Sequence, residues 1–442
     1  MRLRAASTAA RSQTPGLAKR VARGGRWAFC RRSVHLVAAL GAVAGLTTAT
    51  AATAQQAWLE RQNLTGDWNG VRPALSAYGI QPYLTYTGLL WSNLAGGDKS
   101  GVQLNGYLDC GVEVDLAKLG AWDGLGFHAD FHWWQGREPT NKLIGGVLAM
   151  ALSDWEAADT FRVYNIYARQ AFADDRLVIK LGQLAADTDF MVSRYGGTFL
   201  NAAFGDLPSQ NLNIDAPVYP LAAPGFFAST RPWPWLAGRF GAYTADAGDD
   251  VAGNHGFDWA LGNNAGYTFF SELAATAPDG RLPGTYTLGG IYDTGGSEQF
   301  GTGMERSSHY ELYLMGDQAL LADAHDTPTV GVFARISGSP QDARTVVGVY
   351  ADAGIAWFGP LASRPRDVLG VAVSVLRFTQ GFQQQSRAVG TPVSSGETLL
   401  EVTYQAALTP WLVVQPDLQF FFDPAFSRRD AYALGSQLVA IF

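Results

Sequence analysis

His128, Asp130 and His132 stand at alternate positions of one short stretch. In an extended chain this spacing sets an acid between two imidazoles on a single face. Such a trio has the chemistry of a proton relay or of a metal site. Neither reading finds a second support, because no third ligand is indicated and no G-x-S-x-G or H-E-x-x-H motif occurs. No enzyme, metal centre or cofactor is therefore expected. The same face continues into a longer polar series. It holds the carboxylates Asp109, Glu113, Asp115, Asp130, Glu311, Glu397, Glu401 and Asp417, the bases Arg169 and Arg335, and the amides Asn165, Gln415 and Gln419. Tyr107 and Tyr313 lie among them. Carboxylates, guanidinium groups and amides are directional, often bidentate, partners, so a passage lined with them suits a solute rich in hydroxyls. Opposite charges across a narrow part would hold one another and leave a field with little preference for anions.

The elements that must position these groups are strands. From Asn105 to Leu116 one parity reads Asn105, Tyr107, Asp109, Gly111, Glu113 and Asp115, and the other reads Gly106, Leu108, Cys110, Val112, Val114 and Leu116. Phe127, Ala129, Phe131 and Trp133 oppose His128, Asp130 and His132 in the same way. The pattern returns over 329–337, 397–408 and 412–422, and in the last of these Pro416 predicts a local bulge because proline cannot donate to a ladder. A soluble two-sheet sandwich would also alternate. Two features favour lipid on one face and water on the other. The segments match the roughly 9 to 11 residues that a tilted strand needs to cross hydrocarbon. Aromatic residues sit near their ends, at Trp133-Trp134, Trp357-Phe358, Trp411 and Phe420 to Phe422, where interfacial girdles belong.

The ends of the chain agree with export. The first 54 residues carry nine Lys or Arg and no Asp or Glu, followed by an apolar run from Val34 to Leu46. Ala52-Thr53-Ala54 supplies small residues for cleavage before Gln55, with Ala49-Thr50-Ala51 as a rival site. An uncleaved anchor is the alternative, although the apolar run is shorter than the roughly 20 residues of a spanning helix. Removal of the leader takes 32 basic residues to 23 against 39 acids, and the formal charge from −7 to −16. Nucleic acid is not expected as a partner of so acidic a chain. Cys110 alone remains, so no internal disulfide forms.

These readings combine into an all-β fold: a transmembrane antiparallel up-and-down β-barrel of about 16 strands, 18 at most, with long extracellular loops. Barrels of that girth enclose an aqueous channel. Residues 55–80 form an N-terminal periplasmic segment. Trp68, Val71, Leu75 and Tyr78 roughly follow helical spacing, and a short helix at the periplasmic mouth and an unstructured lead both fit. The barrel occupies 81–442. Alternation weakens and Gly, Pro and Asn accumulate near 185–235, which predicts a long loop, folded inward as a constriction or forming a small subdomain. The final strand sets Tyr432, Leu434, Leu438 and Phe442 on one parity and Gly435 and Gln437 on the other.

A series of phrases resembles the OprB-type carbohydrate-selective porin family. Leu64-Thr65-Gly66-Asp67-Trp68-Asn69-Gly70-Val71-Arg72 is similar to its opening segment, and Asn105 through Asp115 and on to Gly136-Arg137 to its first hairpin region. Pro283-Gly284-Thr285-Tyr286, Asp317-Gln318 and Arg364-Pro365-Arg366-Asp367 follow in order. The strongest stretch is Glu401-Val402-Thr403-Tyr404 with Pro410-Trp411-Leu412, Gln415-Pro416-Asp417-Leu418-Gln419 and Asp423-Pro424. The chain departs at Ala319 to Asp323, where a basic residue is expected soon after Asp-Gln, and at Cys110. The resemblance implies a passive channel for monosaccharides such as glucose in the outer membrane of a Gram-negative bacterium. Its partners would be outer-membrane lipid and lipopolysaccharide, small sugars, and an assembly machinery that reads Phe442, with the barrel a monomer or a homotrimer. A general or non-sugar porin, a barrel-borne enzyme and an adhesive barrel with a blocked lumen are the competing readings.

Overall fold

The computed structural model describes residues 58–261, 265–277, 282–297, 299–301, 307–427 and 429–442. The leader expected at 1–54 lies outside them. Sixteen strands follow one another in chain order: β1 Ile80–Gly96, β2 Gly101–Asp115, β3 Leu125–Gly136, β4 Phe161–Phe172, β5 Leu177–Leu184, β6 Ala223–Trp233, β7 Leu236–Thr244 and β8 Tyr267–Thr276. The second half comprises β9 Gly284–Ser297, β10 Ser307–Ala322, β11 Pro328–Gly338, β12 Val347–Phe358, β13 Val368–Phe378, β14 Gly396–Thr409, β15 Leu412–Phe422 and β16 Ala431–Ile441. Each pairs antiparallel with its neighbours, and β16 returns to β1 with Thr85 opposite Ile441 and Gly88 opposite Leu438. Closure satisfies every edge, which lipid requires of any spanning structure. Among the described residues no helix is long and apolar enough to cross a membrane.

The two parities meet the two media that the sequence predicts. On β2, Val102 and Leu104 lie bare on the outer face while Asn105 and Tyr107 are buried within. On β11, Ile336 is outward and exposed, whereas Phe333, Arg335 and Ser337 are buried inside. The expected aromatic girdle is only partly formed. Trp133 and Trp357 face outward, but their neighbour Trp134 and the ring of Phe421 are buried inside, because adjacent residues of a strand must point oppositely. Trp411 is covered by Trp58 at a ring separation of 4.5 Å.

The bulge expected at Pro416 is absent. Pairing with β16 runs unbroken from Gln415↔Gln437 through Pro416↔Ser436 to Asp417↔Gly435. The ladder to β14 resumes in the same register on either side of the proline, at Thr403↔Asp417 and Ala406↔Val414. The ring points outward, its φ suits an extended chain, and the strand gives up a hydrogen bond in place of its register.

The connections at one end are mostly short turns and at the other are mostly longer loops, an asymmetry that outer-membrane barrels share. Two of the long loops enter the barrel, a short inner loop (137–160) and a long inner loop (185–222). The second is shorter than the 185–235 span expected. Its last part is β6, whose final two residues are Pro232 and Trp233, and whose Pro224 near the start weakens the pattern without preventing pairing of Gln183 with Pro224. At one rim the helix α1 (Val71–Ala77) buries none of its residues and so borders the mouth without filling it. Arg72 Nη2 donates to the Phe442 carbonyl at 2.9 Å, and Leu64 N–H to Ile441 O at 2.8 Å, so this segment clasps the seam where the barrel closes.

Candidate functional site

The inner loops are held by the polar face of the strands. Glu397 on β14 accepts the backbone N–H of Leu148 at 2.7 Å and of Ala149 at 3.2 Å from the short loop, and that of Ala425 at 3.0 Å from the β15–β16 connection. Four residues along the strand, Glu401 accepts from Leu200 N–H at 2.7 Å and Asn201 N–H at 3.0 Å of the long loop. Gln419 accepts from Asn201 Nδ2 at 2.8 Å and donates to Leu152 O at 2.9 Å, linking both loops. Gln415 donates to Thr198 O at 2.9 Å. Asp417 is buried on the same wall, beside Glu401 and Thr403. A loop drawn into a barrel leaves backbone donors without water, and carboxylates on the wall are the strongest acceptors available to them.

The opposite wall uses both signs. Arg335 on β11 is gripped by Asp352, with Nε at 3.1 and 3.0 Å from its two oxygens, and donates to the carbonyls of Gly205 at 2.6 Å and Ala203 at 3.0 Å. Glu311 accepts from Ser209 Oγ and lies 3.4 Å from Asn213 Nδ2, both on the short helix α2 (Pro208–Asn213). Asp317 accepts from Tyr195 N–H at 3.0 Å and Ser193 Oγ at 2.8 Å, and Glu272 from Met191 N–H at 2.8 Å. Tyr195 lies flat on β11 because residue 331 is glycine; a Cβ there would stand 2.1 Å from its ring. At the root of the long loop, Asp130 accepts from Asn165 N–H at 2.6 Å, and Asn165 Oδ1 accepts from Ala185 N–H at 2.8 Å.

Most of the residues read from the sequence as lumen polarity therefore face inward but are covered by loop. Glu311, Arg335, Glu397, Glu401, Gln415, Asp417 and Gln419 are buried, as are Asp130 and Asn165. Glu113 remains open to water, Asp109 lies 3.5 Å from His132 Nε2, and Arg169 stands apart near the β4–β5 turn, 2.6 Å from Asp175. His128 and His132 flank Asp130, with His128 Nε2 at 3.0 Å. None of these side chains lines the cavity that the loops enclose.

That cavity has a volume of about 430 Å³ and is walled entirely by residues of the segments 148–156 and 187–220. Trp155 forms one side, stacked on Tyr107 at 4.5 Å and 20° with Nε1 donating to Gln437 at 2.9 Å. Tyr219 stands edge-on to Trp155 at 5.9 Å and accepts from Trp134 Nε1. Asp154, Glu156, Asp187 and Asp206 supply its charge, and no Lys or Arg takes part in the lining. Opposite charges do pair, at Arg335 and Asp352, but behind the loop backbone and outside this lining. Glu156 is engaged by Thr140 through N–H and Oγ1, each at 2.9 Å. Asp187 faces the Tyr164 hydroxyl at 3.4 Å and Asp206 the Asn211 amide at 2.6 Å. Among the described residues no side chain hydrogen-bonds Asp154, whose Oδ2 lies against Gly205 where a Cβ would come within 2.5 Å.

Crowding by protein pushes these acids up: Asp206 to about 6, Asp187 to about 7 with Asp206 adding to the effect, and Glu156 to about 8 against the pull of its two hydrogen bonds. Asp154 rises well above the usual carboxylate range, again through crowding first and then through Asp206 and Asp187. Each keeps an edge accessible to solvent, so the desolvation is partial. Strand alternation could not have found these four, since none lies on a strand. The available signal was Asp154-Trp155-Glu156, an aromatic residue between two acids in a connection.

Residues 100–441 match the family described as carbohydrate-selective porin, OprB family. The chain is 26% identical to Porin B of Pseudomonas aeruginosa over 89% of its own length and 94% of that protein. It is 23% identical to the putative porin QuiX of Acinetobacter baylyi, over 85% and 92%. The high-pH structure of Pseudomonas putida OprB superimposes with a TM-score of 0.79 at 23% identity, covering 87% of this chain and 99% of that one.

Proposed function

The chain belongs to the carbohydrate-selective porin family, OprB, and from that premise we propose that its outer-membrane barrel passes monosaccharides such as glucose through the cavity between the inner loops. The observation that carries the reading is the pairing of an aromatic side, Trp155 and Tyr219, with carboxylates on the same cavity. A sugar ring offers an apolar face and a girdle of hydroxyls, and each finds its complement there. The volume suits one small solute with its remaining water. The wall residues Glu397, Glu401, Gln415, Gln419, Glu311 and Arg335 act as positioning residues, fixing the loop backbone so that the opening keeps one shape. Asp109, Glu113 and Arg169 lie on the lumen and rim below. The hydrogen-bonded loops hold a fixed opening, so passage is diffusive and follows the gradient.

In this reading the host is a Gram-negative bacterium, the leader over 1–54 is removed on export, and Phe442 is the residue that the assembly machinery recognises. Lipid and lipopolysaccharide cover the outward Leu, Val and Phe side chains. A channel, not catalysis, is the function. The test is swelling of liposomes holding the folded protein: glucose enters faster than a disaccharide at equal osmolarity. Equal rates reduce the protein to a general porin, and no swelling in either solute excludes a sugar channel.

A further inference from the structure

A second recess, with a volume of about 870 Å³, opens in the lumen beside the β2–β3 and β4–β5 turns, at the end of the barrel away from the inner loops. Strand register builds it. Gln81 on β1 stands opposite Glu113 on β2, Glu113 opposite His128 on β3, and His128 opposite Tyr167 on β4, so four inward polar side chains form one row across four strands. In the next row toward the rim, Gly126 leaves a gap between Asp115 and Arg169, and the wall is hollow there. Along β2, Glu113 is six residues from Tyr107, the ring stacked on Trp155. At about 3.3 Å per residue the recess lies roughly 20 Å along the strand from the cavity between the loops.

Its groups keep hydrogen-bonding capacity but little free positive charge. Arg169 is held by Asp175 at 2.6 Å, and Lys180, on β5, by both oxygens of Asp189 at 2.7 and 2.9 Å. The Glu113 carboxylate and the Gln81 amide are exposed, and neither Gln81 nor the Tyr167 hydroxyl has a hydrogen-bond partner among the described residues. His128 is fixed between them, with Nε2 3.0 Å from Asp130 and Nδ1 3.8 Å from Glu113. The Tyr167 ring is already occupied: it stacks on His128 at 4.9 Å and 20°, and the Lys180 ammonium lies over it at 5.0 Å. A carboxylate, an amide and a phenol whose ring is covered can meet hydroxyl groups but offer no platform to an apolar ring face.

We propose that this recess is a second sugar position, which takes neutral polyhydroxyl solutes by their hydroxyls as they pass between the inner-loop cavity and the short-turn end of the barrel. The inference rests on the sugar-channel reading above and deepens it. Two weak positions in series let a solute move in steps, which conduction favours over one deep well. Because no ring face is read here, an open-chain hexitol is held as well as a cyclic hexose, whereas the cavity bordered by Trp155 prefers the ring.

The experiment follows the His128 ring resonance in folded protein carrying isotope-labelled histidine, assigned by its loss in His128→Gln, as solute is added at constant pH. Glucose and sorbitol should both move it to saturation, and triethylene glycol dimethyl ether, which carries no hydroxyl, should not. The shift should persist in Trp155→Ala. It should be lost in Gly126→Leu, where a Cβ meets only Val114 O at 3.4 Å and Arg169 O at 4.0 Å and the longer side chain fills the recess. If Gly126→Leu does not fold, Glu113→Gln replaces it and should raise half-saturating glucose about tenfold, as loss of one charge-assisted hydrogen bond would give. A resonance unmoved by glucose, moved equally by the ether, or moved only when Trp155 is present overturns the second position and leaves the sugar channel standing. Absence of glucose entry into liposomes overturns the channel itself.

Discussion

Two sets of carboxylates share this lumen and are put to opposite use. Glu397 and Glu401 grow from the wall, are almost wholly buried, and use their oxygens on loop N–H groups. Asp154, Asp187 and Asp206 grow from the loops, keep an edge toward the cavity, and have one side-chain donor or none among the described residues. The first set holds the loops in place, and the second is left facing the cavity. The difference teaches that parity on a strand tells which side a group faces, while what it does depends on whether a loop is folded over it.

Removing a wall carboxylate should give the largest effect. Glu397→Ala leaves three N–H groups without an acceptor, and with hydrogen bonds to a charged group worth about 1.5–3 kcal/mol each the short loop should leave the wall. Single-channel conductance should then rise several-fold while heat-modifiable migration of the barrel is kept. A variant that conducts as before would place Glu397 outside the anchoring set.

Trp155→Ala probes the other side of the comparison. Loss of the ring stacked on Tyr107 removes an aromatic contact of about 0.5–1.5 kcal/mol, so half-saturating glucose should rise up to about tenfold with conductance little changed. Unchanged saturation would show that sugar does not use this face.

A smaller effect follows from pH. The loop acids are raised above their usual range, so they are neutral on the acid side and gain charge as pH climbs from about 6, for Asp206, through about 7, for Asp187, to about 8, for Glu156. The groups facing them are Asp206, the Tyr219 N–H and the Tyr164 hydroxyl for Asp187, Asn211 and Arg335 for Asp206, and Thr140 and Glu138 for Glu156. Cation preference, read as the reversal potential in a potassium chloride gradient, should therefore grow across that window and be weak below it. A preference constant with pH would mean that these acids do not see the ions.

Pro416→Val should have the least effect. It restores a donor on a strand whose register is already regular, so unfolding in denaturant should shift by no more than the ~1 kcal/mol of one hydrogen bond. A large change in either direction would mean that the proline shapes the strand.

The barrel was legible because lipid and water impose a period of two that no other force in the chain opposes; the parity at Asn105 to Leu116 and at Thr329 to Ser337 is enough to orient β2 and β11. Pro416 misled because a missing donor was read as a change of register, and β6 was lost in a loop because Pro224, Pro232 and Pro234 looked like an ending. The site was less legible for a different reason. Glu401 was visible as an inward acid, but its partners Leu200 and Asn201 lie some two hundred residues away, and backbone donors carry no signature of residue type. Asp154 and Asp187 belong to irregular segments whose position is set entirely by those distant contacts.

The central claim is that the wall positions the loops and the loops choose the solute. Its most direct test is the ratio of glucose to disaccharide entry in the unaltered protein and in Glu401→Ala, with both confirmed as folded barrels. The expected result is a high ratio that falls toward one in the variant, because Leu200 and Asn201 lose their acceptors and the passage widens. A ratio unchanged by the substitution would contradict it.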